Sequence, residues 1–188
     1  TTLFRSSDAE LIFEGTVIET ASIQELNGTY RTYVTFAVRE VVKGAYDAST
    51  LELSFLGGQV NGRGQEVSDM RQPVTGEQGI YFVESLSENL VNPLLGWSQG
   101  QFLIAPDAGG VPRITTDRRQ PVLEIRSMAT IPAAIRRPRG LIAGNSGRAL
   151  GVLIDETGAE ASRGMTPAQF KSRLRELLEN QGTTRPGN

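Results

Sequence analysis

Leu11-Ile-Phe-Glu-Gly-Thr-Val-Ile-Glu-Thr20, a polar turn around Asn27-Gly28, and Arg31-Thr-Tyr-Val-Thr-Phe-Ala-Val-Arg-Glu-Val-Val-Lys-Gly44 decide the fold class of this chain. Apolar and polar residues alternate with period two on both sides of the turn. That pattern predicts a long antiparallel hairpin with one buried face. Thr50-Leu-Glu-Leu-Ser-Phe55 alternates again and reads as a third strand. Gln78-Gly-Ile-Tyr-Phe-Val83 is a short, strongly apolar strand introduced by the turn Pro73-Val-Thr-Gly76-Glu77. Gly96-Trp97 leads into a strand through Ile104, and Asp107-Ala-Gly109-Gly110 turns the chain back into Val111–Thr115. The chain therefore opens as an all-β protein.

Between the third and fourth strands, Gly57-Gly58-Gln59-Val60-Asn61-Gly62-Arg63-Gly64 is rich in glycine. A glycine loop that cradles phosphate needs a helix starting at its end. The sequel Val67-Ser-Asp-Met-Arg-Gln-Pro73 has no helical period, so this is read as a turn-rich excursion. From 117 to 148 the texture changes to Arg118-Arg119, Pro121, Pro132 and Arg136-Arg137-Pro138-Arg139-Gly140. Proline spacing forbids a long helix there. One short strand is expected near Val122–Ile125, followed by an extended strap, with a late strand and turn over Gly151–Gly158. Thr166-Pro167-Ala168-Gln169 supplies an N-cap, a first-position proline and a capping-box glutamine. Phe170, Leu174, Leu177 and Leu178 then form one apolar helical stripe.

Composition excludes much chemistry. The 188 residues contain no His and no Cys. Ser-His-Asp and Cys-His catalysis, disulfides and His- or Cys-ligated metals are therefore ruled out. No cofactor is expected. Oxygen-ligated hard cations stay open, although Asp107 and Asp155 lack the alternating-oxygen spacing of a calcium loop. Carboxylate pairs such as Asp69 with Glu77, or Asp155 with Glu156, sit in expected turns, where acids ordinarily cap or face solvent. The chain is read as non-enzymatic. Lysine is limited to Lys43 and Lys171 against seventeen Arg, which is read as a compositional bias. No apolar run is long enough for a membrane span. The opening Thr1-Thr2-Leu3-Phe4 is compatible with a precursor whose signal peptide has been removed, and equally with a trimmed chain.

Charge is unevenly spread. Residues 1–112 carry a net −8, residues 113–148 a net +6, and the remainder balances. A basic strap thus follows an acidic body. The strap either neutralises its own body or meets the acidic face of another molecule. The candidate interaction residues are Arg118, Arg119, Arg126, Arg136, Arg137 and Arg139 on the strap, and Glu14, Glu19 and Glu40 on the body. Trp97, the only tryptophan, is added as a residue that covers the core end or stacks on a ligand. Tyr30, Arg31 and Tyr33 flank the first turn and are read as structural. Nucleic acid is excluded as a partner: the barrel part is acidic and only 6% of the chain is aromatic, whereas such binding needs aromatics interleaved with cations.

The order of these motifs resembles a known type. Leu11–Gly44, with Glu14-Gly15-Thr16-Val17 and Thr35–Gly44, is similar to the opening of the netrin-like domains related to tissue inhibitors of metalloproteinases, which are OB-fold barrels. A group of uncharacterised exported bacterial proteins is closer. They share Gly57-Gly58 after the third strand, the Pro73–Glu77 turn before aromatic Tyr81-Phe82, the Ser98–Phe102 strand entry and the Met165–Phe170 helix start. The resemblance covers roughly residues 8–105 and the terminal helix, and leaves the strap outside it. It implies an OB-like (netrin-like) antiparallel barrel with one C-terminal helix, and export to the periplasm, cell surface or medium. The inhibitors act through an N-terminal cysteine, which this chain lacks. One domain is expected, with a β-barrel core over 1–112, the strap over 113–148, and a late strand, helix and tail over 149–188. The function expected is a non-catalytic exported interaction protein that binds another protein or an extracellular ligand. The alternative is a self-assembling subunit of a filament or surface layer, with the strap or N-terminal arm on a neighbour's acidic body.

Overall fold

The computed structural model of the chain describes residues 8–68, 70–126, 152–155 and 163–182. The fold is mainly β, with a large antiparallel sheet and, among the described residues, one α-helix. Packing divides the chain into two compact units, one spanning Ala9–Gln101 and one formed by Thr1–Asp8 with Phe102–Asn188.

In the first unit, β1 (Leu11–Gln24), β2 (Tyr30–Lys43), β3 (Thr50–Leu56) and β6 (Gln78–Val83) lie in the order β3-β2-β1-β6. Every pairing is antiparallel. β1 pairs with β2 over Ile12–Gln24, but with β6 only over Leu11–Thr16. Asn27 sets the connecting turn, its side chain accepting from the Thr29 N–H at 2.8 Å. The expected hairpin therefore forms with the predicted turn. The expected closed barrel does not form among the described residues, because β3 has β2 as its sole strand neighbour. β4 (Gly58–Val60) and β5 (Arg63–Gln65) make a small separate hairpin where a turn-rich excursion was expected.

The core of this unit gathers Leu11, Phe13 and Val17 of β1, Val34 and Phe36 of β2, Leu51, Leu53 and Phe55 of β3, and Tyr81 and Val83 of β6. At its centre, Phe13 meets Phe36 edge-on at 5.4 Å, Phe36 meets Tyr81 at 4.7 Å, and Phe13 stacks on Tyr81 at 5.4 Å. No described protein group bonds the Tyr81 hydroxyl, which is buried. Burial, and secondarily the nearby Glu77 carboxylate, raise its pKa well above the ordinary value.

In the second unit, β7 (Gln101–Pro106) and β8 (Pro112–Thr115) form a hairpin, and β9 (Val122–Ile125) pairs with β10 (Val152–Ile154). Helix α1 (Pro167–Gly182) starts as its sequence predicts. The Thr166 N–H donates to Gln169 Oε1 at 2.9 Å, and the Gln169 N–H donates to Thr166 Oγ1 at 3.3 Å. Phe170, Leu174 and Leu177 are buried, and Phe170 lies 5.0 Å from Phe102. Main-chain bonds from Met165 to Val122 and from Ile114 to Met165 tie the helix start to β8 and β9.

Asp107 organises the β7–β8 turn. Its carboxylate accepts from Arg113 Nε at 2.9 Å and from the N–H groups of Gly109 and Val111 at 2.9 and 3.0 Å. The Arg113 bond first, then the Val111 N–H, hold its pKa below the ordinary carboxylate value. Such a group contributes its full stabilisation above the unfolded carboxylate pKa of about 4, and loses it as pH falls through the lower folded value. Titration followed by NMR should place the Asp107 midpoint below that of a free carboxylate and move it upward in Arg113→Ala.

Two substitutions test the aromatic centre. Phe36→Ala should cost about 3–5 kcal/mol in denaturant unfolding. Tyr81→Phe should be neutral or raise stability by about 1 kcal/mol, because it removes a buried hydroxyl that no protein group satisfies.

Candidate functional site

The hydrogen-bond accounting of the sheet edges singles out the distal half of the β1–β2 hairpin. In an antiparallel ladder, alternate residues turn both main-chain groups to the same neighbour. On β3, the Leu56 N–H donates away from β2 to the Val91 carbonyl at 2.8 Å. Thr50, Glu52, Ser54 and Leu56 therefore face outward, and Leu51, Leu53 and Phe55 bond β2. Three side chains meet that outward row. Tyr46 Oη donates to the Thr50 carbonyl at 2.6 Å, and Gln72 Nε2 donates to the Leu56 carbonyl at 3.1 Å. Arg31 reaches across β3 to Ser54, donating from Nε to its Oγ at 2.6 Å and from Nη2 to its carbonyl at 3.4 Å. It ends on the Leu90 carbonyl at 2.6 Å. Among the described residues only Glu52 has neither outward group met, and it carries a charge. This edge is blunted.

β1 is different. Since Leu51, Leu53 and Phe55 bond Phe36, Val34 and Thr32, the alternate residues Arg31, Tyr33 and Thr35 of β2 bond β1. Their partners are Ile23, Ala21 and Glu19. Thr20, Ser22 and Gln24 consequently turn their N–H and carbonyl groups away from β2. The register shift between Val17 and Glu19 causes this, with Ile18 as the extra residue. Before it, Val17 bonds outward to the chain leading into β6, donating to the Glu77 carbonyl and accepting from the Gly76 N–H, both at 2.8 Å. After it, no main-chain or side-chain bond among the described residues meets the outward groups of Thr20, Ser22 or Gln24. The flanking side chains are open to solvent: Ile18 is 49% exposed, Ile23 45%, and Leu26 at the turn fully so.

Beside this edge lies an open cleft of about 360 Å³ lined by Ser22, Thr32, Gln65, Glu66, Met70 and Gln72, with Gly57 and Gly58 at its wall. Thr32 Oγ1 donates to the Gly57 carbonyl at 2.9 Å, so the Ser22 hydroxyl donates to Thr32 at 2.9 Å and keeps its lone pairs for the cleft. The lining is rich in acceptors and its one charge is a carboxylate. A phosphate would find no cation there, and among the described residues no helix begins at this loop. Gly58 is what brings β4 onto the hairpin: a Cβ there would lie 2.5 Å from Thr32 Oγ1 and 2.7 Å from Ser22 Oγ.

The residues singled out from the sequence are distributed as follows. Glu14 is buried, accepting from Arg39 Nη1 and Gln78 Nε2, both at 3.1 Å, so it is not the open acidic contact expected. Glu19 is exposed and Glu40 half-buried. Trp97 stands in a short 3₁₀ turn (Trp97–Gly100) with a left-handed φ of 61°, and is 38% exposed. Arg118 and Arg119 are exposed in the turn before β9, where the Arg119 N–H donates to the Thr116 carbonyl at 3.0 Å. Arg126 pairs with Glu124 at 2.7 Å. Arg136, Arg137 and Arg139 lie outside the described residues, as do Asp69 and Glu156 of the carboxylate pairs. Glu77 bonds Arg71 and the Val74 N–H. Arg31 is only 6% exposed and its guanidinium is held by Ser54 and Leu90, whereas Tyr33 is half-buried. Sequence reading missed the open edge. Its signal is the run Ile18–Gln24, which has no proline and a single charge.

No group of three or more acidic side chains among the described residues is placed to hold a metal ion. No helix among them is long and apolar enough to cross a membrane. No family profile, curated protein or solved structure matches the chain.

Gly58→Ala should destabilise the protein by about 2–4 kcal/mol, combining a steric clash with a left-handed φ of 142°. Gly62→Ala, with φ 76° and nothing near its would-be Cβ, should cost only about 1 kcal/mol. Thermal or denaturant unfolding of the two variants separates these effects.

Proposed function

We propose that this chain is a non-catalytic exported interaction protein, and that its binding surface is the distal half of the β1–β2 hairpin. The observation that carries this reading is the unmet outward row at Thr20, Ser22 and Gln24, set against an edge on β3 that side chains cover. An open row of donors and acceptors is a template for an added strand. Exposed Ile18, Ile23 and Leu26 supply apolar contact on the same half of the hairpin. The non-catalytic part rests on the absence of His and Cys, and on the engagement of Glu14, Glu77 and Asp107 in structural bonds. An OB-like, netrin-related origin is supported by the three-stranded meander, its bulged first strand and the order of motifs along the chain. Export follows from the same resemblance.

A second reading, a self-assembling structural subunit, is favoured by the same open edge, together with the exposed Arg118 on a chain whose first 112 residues are acidic.

Site-specific photo-crosslinking in the source cells tests the interaction reading. A photoreactive residue at Leu26, fully exposed at the hairpin tip, should yield discrete adducts of defined mass. The same group at Ser172, exposed on α1, should not. Absence of discrete adducts at position 26, or identical adducts at both sites, would overturn the assignment of the surface.

A further inference from the structure

We propose that the cleft beside β4 and β5 binds a guanidinium group, held by Ser22, Gln72 and Glu66. This site is distinct from the open main-chain row of β1, and it does not depend on that row receiving a strand.

The wall of the cleft is ordered by bonds that use up its donors. Thr32 Oγ1 donates to the Gly57 carbonyl at 2.9 Å, so the Ser22 hydroxyl donates to Thr32, also at 2.9 Å. Gln72 Nε2 donates to the Leu56 carbonyl at 3.1 Å and to the Gly57 carbonyl at 3.5 Å. Both partners are acceptors, which fixes the orientation of this amide and leaves Oε1 as its open end. The Gly57 carbonyl accepts twice and has no lone pair to spare. What the ordered wall offers a ligand is therefore acceptors, Ser22 Oγ and Gln72 Oε1. Glu66, exposed at the lip, adds a carboxylate.

A ligand for these groups must bring donors and positive charge. An anion would meet acceptors and a carboxylate alone. A neutral polyol needs donors from its site as well, and the ordered wall has none free. A metal ion would find a single carboxylate, and no group of three acidic side chains is placed for one among the described residues. A guanidinium carries five N–H donors in one plane, enough to meet two neutral acceptors and a carboxylate together. An ammonium has three donors and holds its water more strongly, so it loses more on entry. Met70, packed against the core, gives the methylene stem of such a ligand an apolar surface inside a volume of about 360 Å³. The acidic first 112 residues draw cations to this unit.

NMR titration of the full chain tests this with two probes, agmatine and a Gly/Ser peptide carrying one arginine. Both should shift the main-chain amides of Ser22, Glu66 and Gln72, with a Kd of about 1 mM or tighter. Equal affinities support a free small cation as the source of the guanidinium, and a tighter peptide supports an arginine side chain of another protein. Glu66→Gln should weaken agmatine binding about five-fold, and Gln65→Glu, which sets a second carboxylate at the lip, should tighten it about two- to five-fold. Gln65→Lys should weaken it. Glu52→Gln removes the same charge from an exposed position on β3 and should leave binding unchanged. All four substitutions are at exposed positions, and unchanged Trp97 fluorescence and unfolding midpoints show that the fold persists. The proposal is overturned by unmoved amides at about 10 mM agmatine, by equal losses in Glu66→Gln and Glu52→Gln, or by glucose or Ca²⁺ shifting the same amides at lower concentration than agmatine. Photo-adducts at position 26 report on the hairpin and these shifts on the cleft, so each reading can fail without the other.

Discussion

The first unit depends on the contact of Phe13, Phe36 and Tyr81. These rings come from three neighbouring strands, so their packing at 4.7–5.4 Å fixes β2, β1 and β6 side by side. Each ring buries a large apolar area, and the edge-on geometry adds to it. With the rings in place, the proximal half of β1 has a strand on both sides. The chain entering β6 turns away at Gly76 and Glu77, where Val17 takes the last main-chain bonds. Beyond Ile18, among the described residues, the main chain of β1 bonds β2 alone, while Thr20 Oγ1 still meets Thr75 Oγ1 at 3.4 Å. The open edge is what remains when a fourteen-residue strand is clamped by a six-residue neighbour.

Much of this was legible in the sequence, for physical reasons. Strict alternation in Arg31–Val42 and Thr50–Phe55 gives the strands, because one face must be apolar to bury. Asn27, Asp107 and Thr166 were readable since each bonds main chain within four residues of itself. What escaped reading depends on partners far along the chain. Glu14 looked like a surface acid, and is buried because Arg39 and Gln78, from two other strands, converge on it. Arg31 reads as a structural residue beside the turn, but the partners that fix it, Ser54 and Leu90, lie far along the chain. The bulge at Ile18 was invisible because Val17-Ile18-Glu19 reads equally well with or without an extra residue. That one residue decides which main-chain groups face outward. Barrel closure likewise depends on pairing between distant strands, which periodicity does not encode.

The two edges of the hairpin sheet are treated in opposite ways. Covering an edge usually falls to charges, prolines or bulges that spoil the template. On β3 the row of carbonyls is instead occupied by a tyrosine hydroxyl, a glutamine amide and a guanidinium. Satisfying these acceptors internally removes the main driving force for adding a strand, without altering the strand itself. On β1 the bulge, a feature that elsewhere ends pairing, only shifts it by one residue and presents an unbroken row. An identical strand chemistry is thus made inert on one side and receptive on the other by what surrounds it.

The groups that cover β3 are separated in the order of synthesis. Tyr46 and Arg31 precede or adjoin the strand, but Gln72 and the segment at Leu90 and Val91 leave the ribosome only later. At ordinary elongation rates of about 5–20 residues per second, the Leu56 end of the strand stays uncovered for a few seconds while β1, β2 and β3 are already able to pair. The nascent chain therefore passes through a stage in which both margins of its growing sheet can recruit a neighbour. The glycines and polar residues of 57–68, emerging in that interval, add few apolar side chains to those margins.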